Sequence, residues 1–395
     1  MKPLFLTVLG AVILSTSCKT NDSAANSSFE IVINSETPVS DQPILKNVSF
    51  LKLETNDECL IEDVSKVIPC KNKLVVLSSS MNGGMPTQDV LIFDNLGRFQ
   101  NKISRGQGPG ELIYPTDIAV NANGDSLYVV DRCKQINVYD LEGNYQRALC
   151  AHKGFMQMMP VASDFLLFDP NLQKEGNYNL RYLCSSNDST TVLLKQPYDG
   201  VSFSLSNLLF RMEDNNMLFS ILLSDTVYQL DFHNKILSPY FVLNFEGRGI
   251  NQSVPLEALT GFSEYMEMIK NKNMFSGPSD LSVAKDRAFF TLRAKEFYFV
   301  ACDLHSKKSV LHTKLIEGLP NIYGSCGSIS GQVIYAMDAP RLLKSMEEEG
   351  NSKTELVKQL KQAAITEEDN PILFFGSYSL HNKKESATGH SLLIL

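Results

Sequence analysis

Tryptophan is absent from this chain, and histidine occurs only six times in 395 residues. The histidines, His152, His233, His305, His312, His381 and His390, are dispersed, and no HxxE, HExxH or Gly-x-Ser-x-Gly element sets one beside a carboxylate or nucleophile. Apolar runs are short: the longest stretch, Leu4 to Leu14, falls well under the roughly 18 residues a membrane-spanning helix needs. Runs of Lys and Arg are missing as well. With 36 basic and 44 acidic residues the net charge is −8, which excludes the basic surface that nucleic-acid phosphates require. No two cysteines have CxxC spacing, so no zinc site is signalled.

What is present begins with a sorting signal. "MKPLFLTVLGAVILSTSCKTN" has one Lys, an apolar core and small residues ending at Cys18, the pattern of a secretory signal peptide over residues 1–17. "LSTSC" resembles the lipobox of bacterial lipoproteins, which implies lipid on Cys18. Ser17 is looser than the usual Gly or Ala, and a secretion signal with an incidental cysteine is the other reading. Residues 18–43 are expected as a tether and extended N-terminal segment, since "KTNDSAANSS" is small and polar. Seven further cysteines are scattered, an odd number. Export permits Cys59–Cys70 or Cys133–Cys150 disulfides, while free buried thiols are the alternative.

Residues 44–395 carry a repeat. "DVLIFDNLGRFQNKI" is strand, turn at Asp94 and Gly97, strand; "INVYDLEGNYQRAL" repeats it around Asp140 and Gly143, 46 residues on. Weaker copies place turns at Asn187–Asp188, Asp231, Asp303 and His381 to Lys384, six marks at the period of propeller blades. Each unit opens with a further hairpin, such as "TDIAVNANGDSLYVVD" and "VSKVIPCKNKLVVLSS". The expected fold is all-β: a six-bladed β-propeller of four-stranded antiparallel blades with two helical insertions on one face. The helices are expected within Ser253 to Lys272 and Ala339 to Ala364. "NVSFLKLE", Asn47 to Glu54, is expected to close the ring as the outer strand of the sixth blade, with the C-terminal "HSLLIL" as the competing candidate.

"GQGPGELIYPTDIAVNANGDSLYVVDRCKQINVYDLEGNY" resembles an NHL-type propeller repeat, and the whole chain is similar to six-bladed propeller lipoproteins of Bacteroidetes. The resemblance implies an outer-membrane lipoprotein. Only Asp22 lies near the cysteine, where surface-exported lipoproteins of that group tend to have acidic runs, so the periplasmic side is expected and the cell surface is the alternative.

The stretch "SRGQGPGELIYP" is no phosphate loop. Pro109 removes an amide donor, no Lys-Ser/Thr follows, and Pro115 interrupts a helix. Gly106, Gly108, Gly110 and Pro115 are expected to form a connector between blades. Strand alternation puts this connector on the same face as both helices and the loops Ser78–Asp89 and Asp169–Tyr178. Arg105, Glu111, Asp131 and Arg132 on that face are the candidate partner-binding residues, with a solvated ion-pair cluster as the plainer account. Two functions stand: a scaffold that binds an envelope protein or glycan without a cofactor, or a metal-dependent lactonase- or lyase-like enzyme. Related propellers of the second kind hold a cation such as Ca²⁺ on the axis with carboxylate, Asn or His ligands. The helices either plug and rim the channel or shape a pocket over the axis.

Overall fold

The computed structural model describes residues 28–379, apart from 83–84, 151–153, 169–177, 188, 196–208, 212–216, 221–223, 254–261, 285 and 349–353. Three strands come first: β1 (Phe29–Val32), β2 (Val39–Pro43) and β3 (Leu45–Leu51). Six sheets then follow in chain order. Blade one is β4 (Asp63–Cys70), β5 (Lys73–Asn82), β6 (Met85–Asp94) and β7 (Phe99–Lys102). Blade two is β8 (Pro115–Val120), β9 (Leu127–Asp131), β10 (Gln135–Tyr139) and β11 (Tyr145–Cys150); blade three is β12 (Gln157–Val161), β13 (Asp164–Phe168), β14 (Tyr178–Cys184) and β15 (Ser189–Lys195). Blade four is β16 (Leu209–Arg211), β17 (Met217–Ser220), β18 (Thr226–Asp231) and β19 (Ile236–Asn244). The short α1 (Ile250–Ser253) and α2 (Phe262–Lys272) lead to blade five, β20 (Ser279–Ala284), β21 (Arg287–Arg293), β22 (Phe297–Asp303) and β23 (Lys308–Lys314). Blade six has β24 (Gly327–Ile329), β25 (Gln332–Met337), α3 (Ala339–Glu348), α4 (Glu355–Gln362) and β26 (Ile372–Tyr378).

The chain is thus a six-bladed β-propeller, and its N-terminal strands complete it. β3 pairs antiparallel with β26, Phe50 opposite Phe374, and supplies the fourth strand of blade six. This is the closure read from "NVSFLKLE"; the competing "HSLLIL" lies outside the described residues. β1 and β2 do more than lead into the ring: they pair in parallel with β19 and β23 as fifth strands of blades four and five.

Consecutive apolar residues in the central strands follow from this arrangement. A strand's side chains alternate between its two faces, and each blade face is pressed against another blade. In β5, Leu74 and Val76 join the apolar cluster shared with blade six, while Val75 and Leu77 join that shared with blade two. Similarly, Val129 faces blade one and Val130 faces blade three. Every blade joint holds such a cluster, which is how a ring of separate sheets becomes one core.

The Asp marks are turn devices. Asp94 Oδ1 accepts from the amides of Leu96 and Arg98, both at 2.9 Å, and Asp140 Oδ1 from those of Glu142 and Asn144 at 3.0 and 2.8 Å. Asp231 and Asp303 do likewise with Asn234 and Ser306, and these amide donors hold both carboxyls below the usual carboxylate range. The sixth mark, His381 to Lys384, lies outside the described residues.

One expectation needs correction. Ser78–Asp89 is not a loop: β5 and β6 keep pairing from Ser78 opposite Asp89 out to Asn82 opposite Met85, with Ser80 Oγ and Thr87 Oγ1 2.7 Å apart across the ladder. The small polar residues look like loop by composition, yet the backbone ladder continues through them. The expected helical segment Ala339–Ala364 holds α3 and α4, the latter starting at an N-cap in which Thr354 Oγ1 accepts from the Val357 amide at 3.3 Å. The other expected loop, Asp169–Tyr178, lies outside the described residues up to 177. Among the described residues no helix is long and apolar enough to cross a membrane.

Candidate functional site

The connector from β7 to β8 is built from the residues singled out in the sequence. Its ends are tied by Leu112 N to Ser104 O at 2.9 Å and Gly106 N to Leu112 O at 3.1 Å. Glu111 turns inward, where Oε2 accepts from the Gly108 amide at 2.8 Å. Gly110 has φ +80°, and a Cβ there would stand 2.5 Å from Tyr145 Cβ. Pro115 opens β8.

Asp131 is fully buried at the end of β9 and takes the amides of Ile113 and Tyr114 on one oxygen, at 3.1 and 2.6 Å. Arg132 lies beside it with Nε 3.3 Å from its other oxygen, half exposed and at φ +56°. Arg105 binds Asp89 and the Gln88 carbonyl. Burial draws the Asp89 carboxyl up, but Lys102 at 2.8 Å and Arg105 outweigh it and hold it low. Hence Glu111 and Asp131 serve the connector's own backbone, and Arg105 and Arg132 remain as rim charges.

These four do not line the cavity that the ring encloses at this face. That cavity, about 420 Å³, lies where the inner strands of blades one, two and three begin and where the connector into β24 arrives. Its wall includes Asp63, Ser65 and Lys66 from β4, Thr116 and Asp117 from β8, Gln157 from β12, Gln88 from β6, and Tyr323 and Ser325. Lys66 Nζ stands 2.7 Å from Asp117 Oδ1, and the Met158 amide donates to Asp117 Oδ2 at 2.8 Å. Gln88 donates to Ser65 Oγ at 3.3 Å. Thr116 Oγ1 and Gln157 Oε1 are shielded and make no hydrogen bond to another protein atom.

At the mouth, Tyr323 is 45% exposed. Its ring stacks on Phe297 at 3.9 Å between centroids, and the Arg293 guanidinium lies over Phe297 at 4.9 Å.

The helices share this face but do not line the cavity among the described residues. α3 and α4 bury Leu342, Met346, Val357 and Leu360 against Leu315, Leu319 and Ile372 over the joint of blades five and six. α2 buries Tyr265 and Ile269 above the connector that carries Phe275. They therefore rim the ring rather than roof the axis.

The cavity residues were quoted in the sequence only as openings of strands. Their one signal is a polar pair at the start of a first hairpin, Ser65-Lys66 and Thr116-Asp117, where an inner strand would otherwise be apolar. Chemically the wall offers hydroxyls, amides and a neutralised ion pair. A cation centre of the lactonase type needs several free ligands, whereas both oxygens of Asp117 are engaged; among the described residues no three His, Cys, Asp or Glu are grouped to hold a metal ion. Cys59, Cys302 and Cys326 are buried thiols, and Cys59 and Cys70 are not joined. Burial pushes the Cys302 thiol up to about 11.

The fold has a solved counterpart. An exported protein of Bacteroides fragilis is similar at 18% identity and TM-score 0.69, over 89% of this chain and 99% of that one. A member of the DUF4221 family from Bacteroides vulgatus aligns at 10% identity and TM-score 0.48, over 86% and 98% of the two chains. No curated protein matches the sequence. The model of the family described as a domain of unknown function, DUF4934, matches residues 27–377, and the chain belongs to that family.

Proposed function

We propose that this protein is an envelope-anchored lipoprotein scaffold that binds a small polar ligand in the axial cavity, with lipid on Cys18 holding it at the periplasmic face of the outer membrane. The observation that carries the binding reading is the cavity itself, walled by the hydroxyls of Ser65, Thr116 and Ser325, the amides of Gln88 and Gln157 and the Lys66–Asp117 pair. Its volume falls in the small-molecule range of roughly 300–1,000 Å³. Arg105 and Arg132 are the rim charges that a partner docking on this face would meet. The NHL-like character of the repeats belongs to the same reading and rests on Gly106 to Tyr145.

The direction of β1 supports an orientation. It runs parallel to β19, which climbs from the Asp231 turn towards the connector face, so β1 enters the blade from the turn side. A lipid attached ahead of β1 then puts the membrane on the turn side and the cavity mouth away from it.

The binding test compares wild type with Ser65→Trp, which fills the cavity from its wall. Each is incubated with the small-molecule fraction of an envelope extract, re-isolated by gel filtration, and analysed for retained compounds by mass spectrometry. Retention by wild type alone is expected; equal retention by both overturns the cavity reading. Labelling with a fatty-acid analogue tests the anchor, with label expected on wild type and lost in Cys18→Ala.

A further inference from the structure

We infer that the ligand is a neutral carbohydrate whose sugar ring lies against Tyr323 and whose hydroxyls bond the polar wall. This rests on the cavity reading above and names its ligand class.

Three features converge on that chemistry. The wall groups are mostly both donor and acceptor: the hydroxyls of Ser65, Thr116 and Ser325 and the amides of Gln88 and Gln157. A sugar hydroxyl is likewise donor and acceptor, so it can satisfy such groups in either direction. The charge balance disfavours anions. Asp117 neutralises Lys66, and Asp63 leaves the wall with one further carboxylate, itself taking the Val64 amide at 2.8 Å. Phosphate or carboxylate ligands would meet no free cation on this wall.

The third feature is the platform. Tyr323 exposes part of its ring at the mouth while Phe297 stacks on it, and Arg293 sits on Phe297 in turn. An aromatic side chain held this way loses little conformational entropy on binding, and it offers a flat apolar surface to the C–H face of a sugar ring. In a protein without tryptophan, tyrosine is the residue left that combines such a face with a polar tip.

Saturation-transfer NMR with purified soluble protein reads this out. The probes are glucose, galactose, mannose, N-acetylglucosamine, maltose, lactose and cellobiose at millimolar concentration, with glucuronate and putrescine as anionic and cationic comparisons. At least one neutral sugar is expected to bind. Tyr323→Ala should weaken it about tenfold or more, and Tyr323→Phe should retain it. Circular dichroism and melting curves establish that each variant is folded. The ligand class is overturned if none of the neutral sugars binds, if putrescine or glucuronate binds in their place, or if folded Tyr323→Ala binds sugar as wild type does. In each case the retention experiment with Ser65→Trp still decides independently whether the cavity binds anything.

Discussion

Lys66 Nζ lies 2.7 Å from Asp117 Oδ1 across the joint between the first and second blades, and the second oxygen of the same carboxylate accepts from Met158 N in the third blade at 2.8 Å. One buried side chain thus ties three inner strands together at the axis. Asp117→Ala removes both bonds and leaves Lys66 without its counter-charge, so a loss of about 3 kcal/mol is expected. Asp117→Asn keeps an acceptor for Met158 and should cost less. Urea denaturation checks the order: an alanine variant as stable as wild type means the carboxylate does not hold the ring.

Ring closure predicts two unlike truncations. Removing residues through Pro43 strips the fifth strands from blades four and five but leaves β3 on β26, so a monomer of lower melting temperature is expected. Removal through Glu54 takes β3 as well and bares the edge of β26, an open ladder ready to pair with another chain. Light scattering should show association for the second truncation and not the first.

Gly110→Ala is expected to destabilise by about 1–3 kcal/mol or more, since the backbone has φ +80° and the new methyl would strike Tyr145. Gly108→Ala is the control: its Cβ would approach only the end of the Glu111 side chain, at 3.1 Å, which can move. Thermal melts of the pair should separate them clearly.

Asp280 predicts a pH dependence. Burial raises its carboxyl above the ordinary carboxylate value, more than the Ser325 amide and hydroxyl lower it. The folded state therefore favours the protonated acid. Its stabilising contribution is full below the unfolded value, about pH 4, and is lost as pH rises through the folded one. Asp231 and Asp303, whose carboxyls are lowered, act in the opposite sense and lose stability as pH falls. The difference between wild type and Asp280→Asn isolates the one group: the variant should gain in melting temperature towards neutrality and converge with wild type in acid. Asn also tolerates the φ of +51° found at this position. Parallel melting curves at every pH would contradict the assignment.

Local patterns were legible wherever a segment satisfies itself. The turns at Asp94, Asp140, Asp231 and Asp303 could be read because each carboxylate bonds amides within a few residues. The closing strand could be read because Val48 and Phe50 alternate with polar neighbours and precede the first hairpin. Blade three's opening hairpin, Gln157–Val161 with Asp164–Phe168, escaped notice: its first strand, "QMMPV", contains Pro and two Met, and its character comes from pairing with "DFLLF".

By itself, the sequence determined that the chain is a closed array of six antiparallel sheets with its extra mass on one face, because strand alternation and turn chemistry act over a few residues. Tertiary structure alone decided where β1 and β2 dock, that the helices rim the ring, and which polar residues meet. Lys66, Asp117, Gln157 and Tyr323 come from three blades and the connector into a fourth. No local pattern relates such residues; the six apolar joints bring them together by setting each inner strand's position around the axis.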